Sequence, residues 1–377
     1  MSKTVSVLID GTAVPSELGG VGRYLEGLVS ALDAADEPVA VVVRREHVEH
    51  FRRLAPTAHV VEAPRAVDRR PLRFVWEQTG LVLLRRRLGA RALHSPHYTF
   101  PLVARRRVVT VHDATFFSDP GSHGRLKRTF FSAWIRASLR RRLVCVVPSA
   151  ATADELVRHV QTRRASVRVA HHGVDHAAFA PPSDAELVEL RRLVGLADDE
   201  PWLAFLGTIE PRKNVALLLR AHQQLRADRG AAAVPDLVVA GARGWDDEAA
   251  RLLDALSPAD GVREVGYLPF ASLPALLGGA SVVAYPSSAE GFGLPVLEAM
   301  ACGACVLTTR RSALPEVGGD AVAYSEPDET SIRDELGRLL DDAARRAALG
   351  RAGVARAAGF TWAATAAAHV AAYREAS

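Results

Sequence analysis

The sequence predicts an α/β protein built from two doubly wound parallel-sheet domains, and three observations predict it. Short apolar runs rich in β-branched residues alternate with helical segments over almost the whole chain, the pattern of parallel sheets covered by helices. At 377 residues with 49% apolar side chains, the chain can fill two substantial cores. The run Phe179-Ala180-Pro181-Pro182-Ser183 interrupts the alternation and reads as a linker. An N-terminal domain is therefore expected over 1–180 and a C-terminal one over 181–355. A terminal segment over 356–377 remains, in which Phe360-Thr361-Trp362 leads into an alanine-rich helix.

Strand candidates before the linker lie near 5–9, 39–43, 91–94, 108–111, 144–147 and 167–170. The first is followed by Leu18-Gly19-Gly20-Val21-Gly22-Arg23-Tyr24, read as a glycine loop running into a helix from Tyr24 to Leu32. The gap after the strand and the glycine spacing do not fit the dinucleotide fingerprint, and no acid stands evident at the usual distance, so a nicotinamide enzyme is disfavoured. Arg107-Val108-Val109-Thr110-Val111-His112-Asp113 is a strand whose carboxyl end presents polar groups. A lone histidine there is more often structural than catalytic. Val147-Pro148-Ser149 reads as a strand end with a helix cap, and His172-Gly173-Val174-Asp175 closes the first domain.

After the linker, strand candidates lie near 203–206, 237–240, 263–265, 281–285 and 305–308. The first ends in Gly207-Thr208-Ile209-Glu210-Pro211-Arg212-Lys213-Asn214, placing adjacent cations where parallel strands deliver ligand-binding residues. The densest stretch runs Ser287-Ser288-Ala289-Glu290-Gly291-Phe292-Gly293-Leu294-Pro295-Val296-Leu297-Glu298. A helix is expected from Pro295 to Ala301, with proline at its favoured early position, so Glu290 precedes the helix and Glu298 lies within it. Glycines at 291 and 293 allow close backbone approach, and the amides opening the helix, around Gly293 to Val296, favour an anion. The alternative is a surface turn followed by an ordinary amphipathic helix. Cys302-Gly303-Ala304-Cys305 follows that helix instead of starting one, which argues against a redox pair.

Three cysteines exclude a disulfide framework, and no apolar run reaches the roughly 18 residues of a membrane span. Without a signal-peptide core after Lys3, the expected location is cytoplasmic. Charge divides unevenly: residues 1–180 carry +12 and residues 181–377 carry −8. In the segment Arg125 to Arg142, Phe130, Phe131, Trp134 and Ile135 interleave with Lys127, Arg128, Arg136 and Arg140. Such a helix can lie on an anionic membrane, giving peripheral contact at its inner face, or pack by its aromatics with the arginines solvated. No nucleic-acid motif accompanies the basic runs, so no nucleic-acid partner is expected.

The arrangement Glu290, Gly-Phe-Gly-Leu-Pro, Glu298 resembles the signature of retaining GT-B glycosyltransferases, in particular the large family 4. Glu-Pro-Arg-Lys-Asn at 210–214 resembles a segment of mannosyl-type members, although some relatives carry arginine where this chain has Thr208. The loop with Gly20 and Gly22 and the His-Asp pair at 112–113 resemble further parts of that family. His172-Gly173-Val174-Asp175 is similar to its Asn-Gly-Val-Asp, with histidine replacing asparagine.

The resemblance spans nearly the full chain and implies two Rossmann-like domains facing across a cleft, the acceptor held mainly by the first and a nucleotide sugar by the second. It implies Glu290 and His112 as catalytic residues facing the donor sugar, and Glu298 on the ribose hydroxyls. Arg212, Lys213 and the chain at Gly293, Leu294 and Pro295 would hold the diphosphate, with Gly20 and Gly22 near donor phosphate and acceptor. It implies hexose transfer with retention, GDP-mannose being the favoured donor and UDP- or dTDP-sugars the alternatives. Attack on the face the leaving group departs from is the expected mechanism, a covalent route through Glu290 its competitor. The acceptor is a lipid-linked glycan, another carbohydrate or a small molecule.

Because no Asp-x-Asp motif occurs, neither a metal nor another cofactor is expected. An epimerase or phosphorylase on the same fold is the lesser reading: a phosphorylase needs a pyridoxal-phosphate lysine, and Lys213 is the only lysine after residue 128. A non-catalytic nucleotide-sugar-binding scaffold is the alternative of a different class.

Overall fold

The computed structural model describes residues 5–14, 19–118, 125–140, 143–160 and 167–376. The chain forms two compact units, one of residues up to Gly173 together with those from Thr361 onward, the other of Val174–Phe360. The first unit runs β1 (Val7–Asp10), α1 (Gly20–Ala34), β2 (Val39–Val43), α2 (Val48–Leu54), β3 (His59–Glu62), α3 (Arg70–Gln78), α4 (Gly80–Arg87) and β4 (Ala92–Ser95). It continues with β5 (Arg107–Thr110), α5 (Thr115–Ser118), α6 (Arg125–Arg140), β6 (Val144–Val147), α7 (Ala150–Val160) and β7 (Val167–Val169). Its strands, all parallel, lie in the order β3-β2-β1-β4-β5-β6-β7.

The second unit runs α8 (Asp184–Val194), β8 (Trp202–Leu206), α9 (Val215–Arg229), β9 (Asp236–Ala240), α10 (Asp247–Ala255), β10 (Val262–Gly266) and α11 (Leu273–Gly278). Then follow β11 (Val282–Tyr285), α12 (Leu294–Ala301), β12 (Val306–Thr309), α13 (Leu314–Gly318), β13 (Ala323–Ser325), α14 (Glu329–Asp341) and α15 (Ala343–Ala357). Its parallel sheet has the order β10-β9-β8-β11-β12-β13. The last helix, α16 (Trp362–Ala376), returns to the first unit and packs on α1, β5 and β6.

Central strands such as Val39–Val43 and Trp202–Leu206 are buried throughout, which is why they read as continuous apolar runs. The sequence reading omitted β3 and β13. Both are sheet edges; β3 exposes His59 and Glu62 and β13 has three residues, so neither shows an unbroken apolar signal. The units divide earlier and later than expected for a physical reason. Phe179 is buried in the second core, and Phe360 packs on that core with its ring 6.0 Å from Phe292. The chain at 179–183 therefore belongs to the second unit and leads into α8 through a capping box, Ser183 N donating to Glu186 Oε2 at 2.7 Å.

Gly20 and Gly22 are a further correction, since they form the first turn of α1 and not a loop before it. Extended Gly19 caps the helix, and burial of Tyr24, Leu25 and Leu28 carries the helix through residues of poor propensity. Leu18 lies outside the described residues. In α6, Ile135 is buried and Phe131 and Trp134 are half-buried, so of its interleaved apolar residues only Phe130 is exposed. The Lys127, Arg128 and Arg140 side chains, and Arg141 and Arg142, lie outside the description.

Cys302 and Cys305 are buried thiols, and burial pushes Cys305 up to about 12, far from the thiolate that redox or metal chemistry needs. Among the described residues no helix is long and apolar enough to cross a membrane. In each sheet the strand order reverses once, between β1 and β4 and between β8 and β11. Open α/β sheets bind ligands outside the carboxyl ends of the strands at such reversals.

Candidate active site

In the second unit the reversal brings together the loops after β8 and β11, and these carry the two densest sequence motifs. After β8 the chain makes a 3-10 turn, Pro211–Lys213, then enters α9 through Asn214, held in the left-handed region at φ 55°. Asparagine tolerates that conformation, and its Nδ2 fixes it by donating to Pro286 O at 2.8 Å. The Arg212 carbonyl accepts from Ser288 N at 2.8 Å, a main-chain bond between the two loops. The Ser287 hydroxyl lies 3.1 Å from that carbonyl and 2.8 Å from Glu290 Oε1, and its main-chain carbonyl is held by Thr309 Oγ1 at 2.5 Å.

Glu290 is the hub. Arg212 Nη1 reaches Glu290 Oε2 at 2.8 Å and Ala289 O at 2.8 Å, while Arg212 Nε donates to Glu210 Oε2 at 2.9 Å. Lys213 Nζ donates to Glu290 Oε1 at 2.9 Å and to the Tyr285 hydroxyl, which itself donates to Oε1 at 2.8 Å. The ammonium also sits 4.6 Å from the Tyr285 ring centroid, a cation–π contact. Burial alone would raise the Glu290 carboxyl; the charges of Arg212 and Lys213 together outweigh it and hold the group well below the usual carboxylate range. Burial draws Lys213 below its ordinary range, with Glu290 opposing, and drives the Tyr285 hydroxyl upward. The site thus holds an ionised carboxylate and two cations in a nearly dry place, where charge acts more strongly than in water.

The α12 end is narrower than the sequence suggested. Gly293 caps it at φ 100°, a conformation for glycine, and its added Cβ would sit 2.9 Å from Leu314. Pro295 has no N–H, and Val296 N already donates to Gly293 O at 3.0 Å. The donors this end can present to an anion are the amides of Gly293 and Leu294, and Pro295 serves by setting the helix. Glu298 stands in the second turn of α12, 2% exposed.

His112, Gly20 and Gly22 belong to the first unit. His112 Nε2 lies 2.7 Å from Pro96 O; a carbonyl only accepts, so Nε2 carries the proton. Burial lowers the ring's pKa, and the neutral ring keeps its Nδ1 lone pair. Asp113 accepts from Thr115 N at 3.0 Å and from Tyr98 OH at 2.8 Å, so it caps α5 and ties down the turn after β4. Tyr24, from the helix that Gly20 and Gly22 open, meets the His112 ring edge-on at 4.8 Å. His172, the departure from Asn-Gly-Val-Asp, is a buried ring 4.9 Å from Tyr24 and 5.8 Å from His112.

Behind these rings a buried chain of bonds joins α16 to the sheet, and its direction follows from one carbonyl. His369 Nδ1 must donate to Thr365 O at 2.8 Å, so its Nε2 accepts from Tyr24 OH at 2.8 Å. The Tyr24 oxygen then accepts from Thr110 Oγ1 at 2.9 Å, Thr110 from His94 Nε2 at 2.8 Å, and His94 Nδ1 from Tyr373 OH at 2.9 Å.

The reversal of the second sheet therefore joins Glu290, Arg212 and Lys213 directly, with Gly293, Leu294, Pro295 and Glu298 on the helix that follows. Sequence reasoning missed Tyr285, Ser287 and Glu210 here, and Tyr24 and His94 in the first unit. Tyr285 could have been found as the last residue of an apolar strand, immediately before the motif.

Comparison with known proteins agrees with this geometry. The description "Glycosyl transferases group 1" matches residues 189–356, and "Glycosyltransferase Family 4" matches residues 18–178. The chain is 30% identical over 372 residues to the O-antigen chain mannosyltransferase B of Escherichia coli, covering 92% of this chain and 93% of that protein. This chain belongs to glycosyltransferase family 4. A D-inositol 3-phosphate glycosyltransferase of Kribbella flavida is 35% identical over 235 residues; that match spans 60% of this chain and about half, 54%, of that relative.

Among solved structures, a sucrose-phosphate synthase of Thermosynechococcus elongatus superposes with a TM-score of 0.77 at 21% identity, covering 99% of both chains. HepE of Anabaena with UDP-glucose gives 0.76 at 15% identity, covering 96% of this chain and 97% of that one. These likenesses establish the GT-B fold. The family 4 enzyme described here is a glycosyltransferase, and its charged hub lies where the second GT-B sheet reverses.

Proposed function

We propose that this family 4 enzyme transfers a hexose, mannose before others, from a nucleoside diphosphate to an acceptor hydroxyl, with retention at the anomeric carbon and without a metal ion. The observation that carries the reading is the ionised Glu290 gripped between Arg212 and Lys213 beside the opening of α12. The likeness over 92% of the chain to a mannosyltransferase, together with Glu-Pro-Arg-Lys-Asn at 210–214, supports GDP-mannose. The acceptor class is a lipid-linked glycan, another carbohydrate or a small molecule.

As the bond from the sugar's anomeric carbon to the diphosphate breaks, negative charge grows on the departing phosphate oxygen. Arg212, Lys213 and the Gly293 and Leu294 amides stabilise that charge more than the ground state, in the role a divalent ion plays elsewhere. The acceptor oxygen bonds to the same carbon on the face being vacated, and its proton passes to the departing phosphate oxygen. Four donors on the Glu290 carboxylate weaken it as a nucleophile, which favours this route over a covalent one. Glu290 instead orients the two cations and the donor's hydroxyls. Glu298 accepts from the ribose diol, and neutral His112 borders the donor sugar.

The experiment is a calorimetric screen of GDP, UDP, ADP and dTDP sugars with and without chelator, followed by assignment of the anomeric configuration of the product. A ligand at 100 times its Kd stabilises its site by about 2.7 kcal/mol. We expect a chelator-insensitive GDP-mannose shift and an α-linked product. Loss of turnover in chelator would defeat the metal-free reading. Donor binding without turnover for any acceptor class would favour a scaffold.

A further inference from the structure

The buried hydrogen bonds of the first unit form a circuit that begins and ends on α16. Tyr373 OH donates to His94 Nδ1, His94 Nε2 to Thr110 Oγ1 and Thr110 Oγ1 to Tyr24 OH; Tyr24 OH then donates to His369 Nε2, and His369 Nδ1 to Thr365 O. All of these bonds point one way, and each group spends its one proton, so cutting any link leaves a buried donor or acceptor unmatched. Burial keeps both imidazoles neutral, drawing His369 down to about 4 and His94 well below its ordinary value, so the direction does not reverse near neutral pH.

Helix α16 supplies Thr365, His369 and Tyr373 at four-residue intervals, which places them on one side of the helix. Trp362 fixes that side at the helix start. Its indole fills a notch over Gly27 of α1, where a Cβ would lie 2.2 Å from Trp362 Cε2. What the circuit grips is the hydroxyl of Tyr24, and what the ring of Tyr24 touches is His112, edge-on at 4.8 Å with an interplanar angle of 81°.

That contact supplies what hydrogen bonding leaves open. The bond from His112 Nε2 to Pro96 O sets the tautomer, but the ring torsion of histidine is broad, so one bonded nitrogen does not set the ring plane. Thr110, two residues before His112, holds Tyr24 from the strand that leads to His112 itself. His94, His172 and His369 are buried, whereas His112 is half-buried, so of these rings it is the one open to a ligand. We propose that Tyr24, Thr110, His94, His369 and Tyr373 are positioning residues which, through the ring of Tyr24, hold the His112 imidazole in the plane that meets the donor sugar. The sugar contact rests on the reading of His112 given above; the positioning does not.

The test is NMR of the full chain labelled in histidine, with the His112 ring identified by its absence from His112→Gln. Wild type should show His112 as one tautomer, protonated at Nε2. Tyr24→Phe keeps the ring and removes only its hydroxyl, and it should shift and broaden the His112 signals, as should His369→Leu. His369→Gln, whose amide oxygen can accept from Tyr24, should restore them. With GDP-mannose as the probe, Tyr24→Phe and His369→Leu should lower kcat about tenfold and change donor KM less than about twofold, since misplacing a group by about 1 Å can cost about 10²-fold. Ala372→Gly weakens α16 by propensity alone and should leave the His112 signals unchanged. Wild-type His112 signals in both Tyr24→Phe and His369→Leu would overturn the proposal. An equal disturbance in Ala372→Gly would do so too, because the circuit would then only fasten α16. The spectra need no sugar, so a displaced ring with undiminished turnover would overturn the sugar contact of His112 and leave the positioning standing.

Discussion

The two sheet reversals each bury a glutamate, and the two glutamates are driven in opposite directions. Glu290 has Arg212 and Lys213 on it, with the Tyr285 and Ser287 hydroxyls completing its shell. Glu77 has Arg73 and Thr99, and the carboxylate of buried Asp10 lies close enough to repel it. Burial raises both groups. Two cations overcome it at Glu290, whereas at Glu77 one arginine opposed by Asp10 does not, and the carboxyl is pushed up to about 7. A buried carboxylate is thus a fixed charge or a proton reservoir according to the cations within reach, and only the fixed charge suits a site that must hold two cations for an anionic ligand.

The comparison breaks most visibly if Glu290 loses its charge. Glu290→Gln should lower kcat about 10²–10³-fold, the scale of removing a preorganised electrostatic group, while donor affinity in calorimetry changes far less. Full turnover in this variant would remove Glu290 from the mechanism. Arg212→Lys should follow with about a 10²-fold loss, because an ammonium cannot reproduce the guanidinium bonds to Ala289 O, Glu210 and Glu290 together. Steady-state kinetics giving Arg212→Lys near wild-type rates would reduce Arg212 to a point charge. Glu298→Ala sharpens the comparison by touching binding alone, with KM for the donor rising roughly 30-fold, the loss of one or two hydrogen bonds to a charged acceptor, at nearly constant kcat. A kcat loss matching the KM change would place Glu298 in the chemistry.

What was legible in the sequence was what lies together along the chain. Glu290, Arg212 and Lys213 each sit in a contiguous run at a strand's carboxyl end, so local pattern located them. Tyr285 as a partner of Lys213 depends on β11 lying beside β8, a pairing across some eighty residues that no local pattern contains. Glu77 was illegible for a stronger reason. An Arg-Glu pair at i, i+4 normally marks the solvated side of a helix, and here Thr99 beneath Glu77 and Asp10 near Arg73 draw the pair inward. Gly20 and Gly22 read as a loop because glycine propensity argues against helix, and burial of Tyr24 and Leu25 outweighs it.

The smallest effect separates the two carboxylates most cleanly, because their pH dependences have opposite sign. The Glu290 pKa is depressed on folding, so its contribution to stability is present above the ordinary glutamate range and is lost as pH falls toward the folded value. The Glu77 pKa is raised from 4.5 to about 7, so its contribution is present below 4.5 and is lost as pH rises through 7. Glu77→Gln keeps an acceptor for Thr99 and removes a charge that is costly to bury. It should lower the first unit's melting temperature slightly near pH 4, by the cost of one mispaired hydrogen bond, and raise it near pH 8. The shift of about 2.5 units sets an upper limit of about 3 kcal/mol; one mispaired hydrogen bond offsets about 1, leaving a gain of ~2 kcal/mol or a few degrees. Scanning calorimetry of both variants between these pH values reads the result. Glu290→Gln should melt lower than wild type near pH 8 and approach it in acid, so the two differences should change in opposite senses along one titration. Parallel curves would mean that Arg73 holds Glu77 ionised as firmly as Arg212 and Lys213 hold Glu290, and that the cation count does not distinguish the two sites.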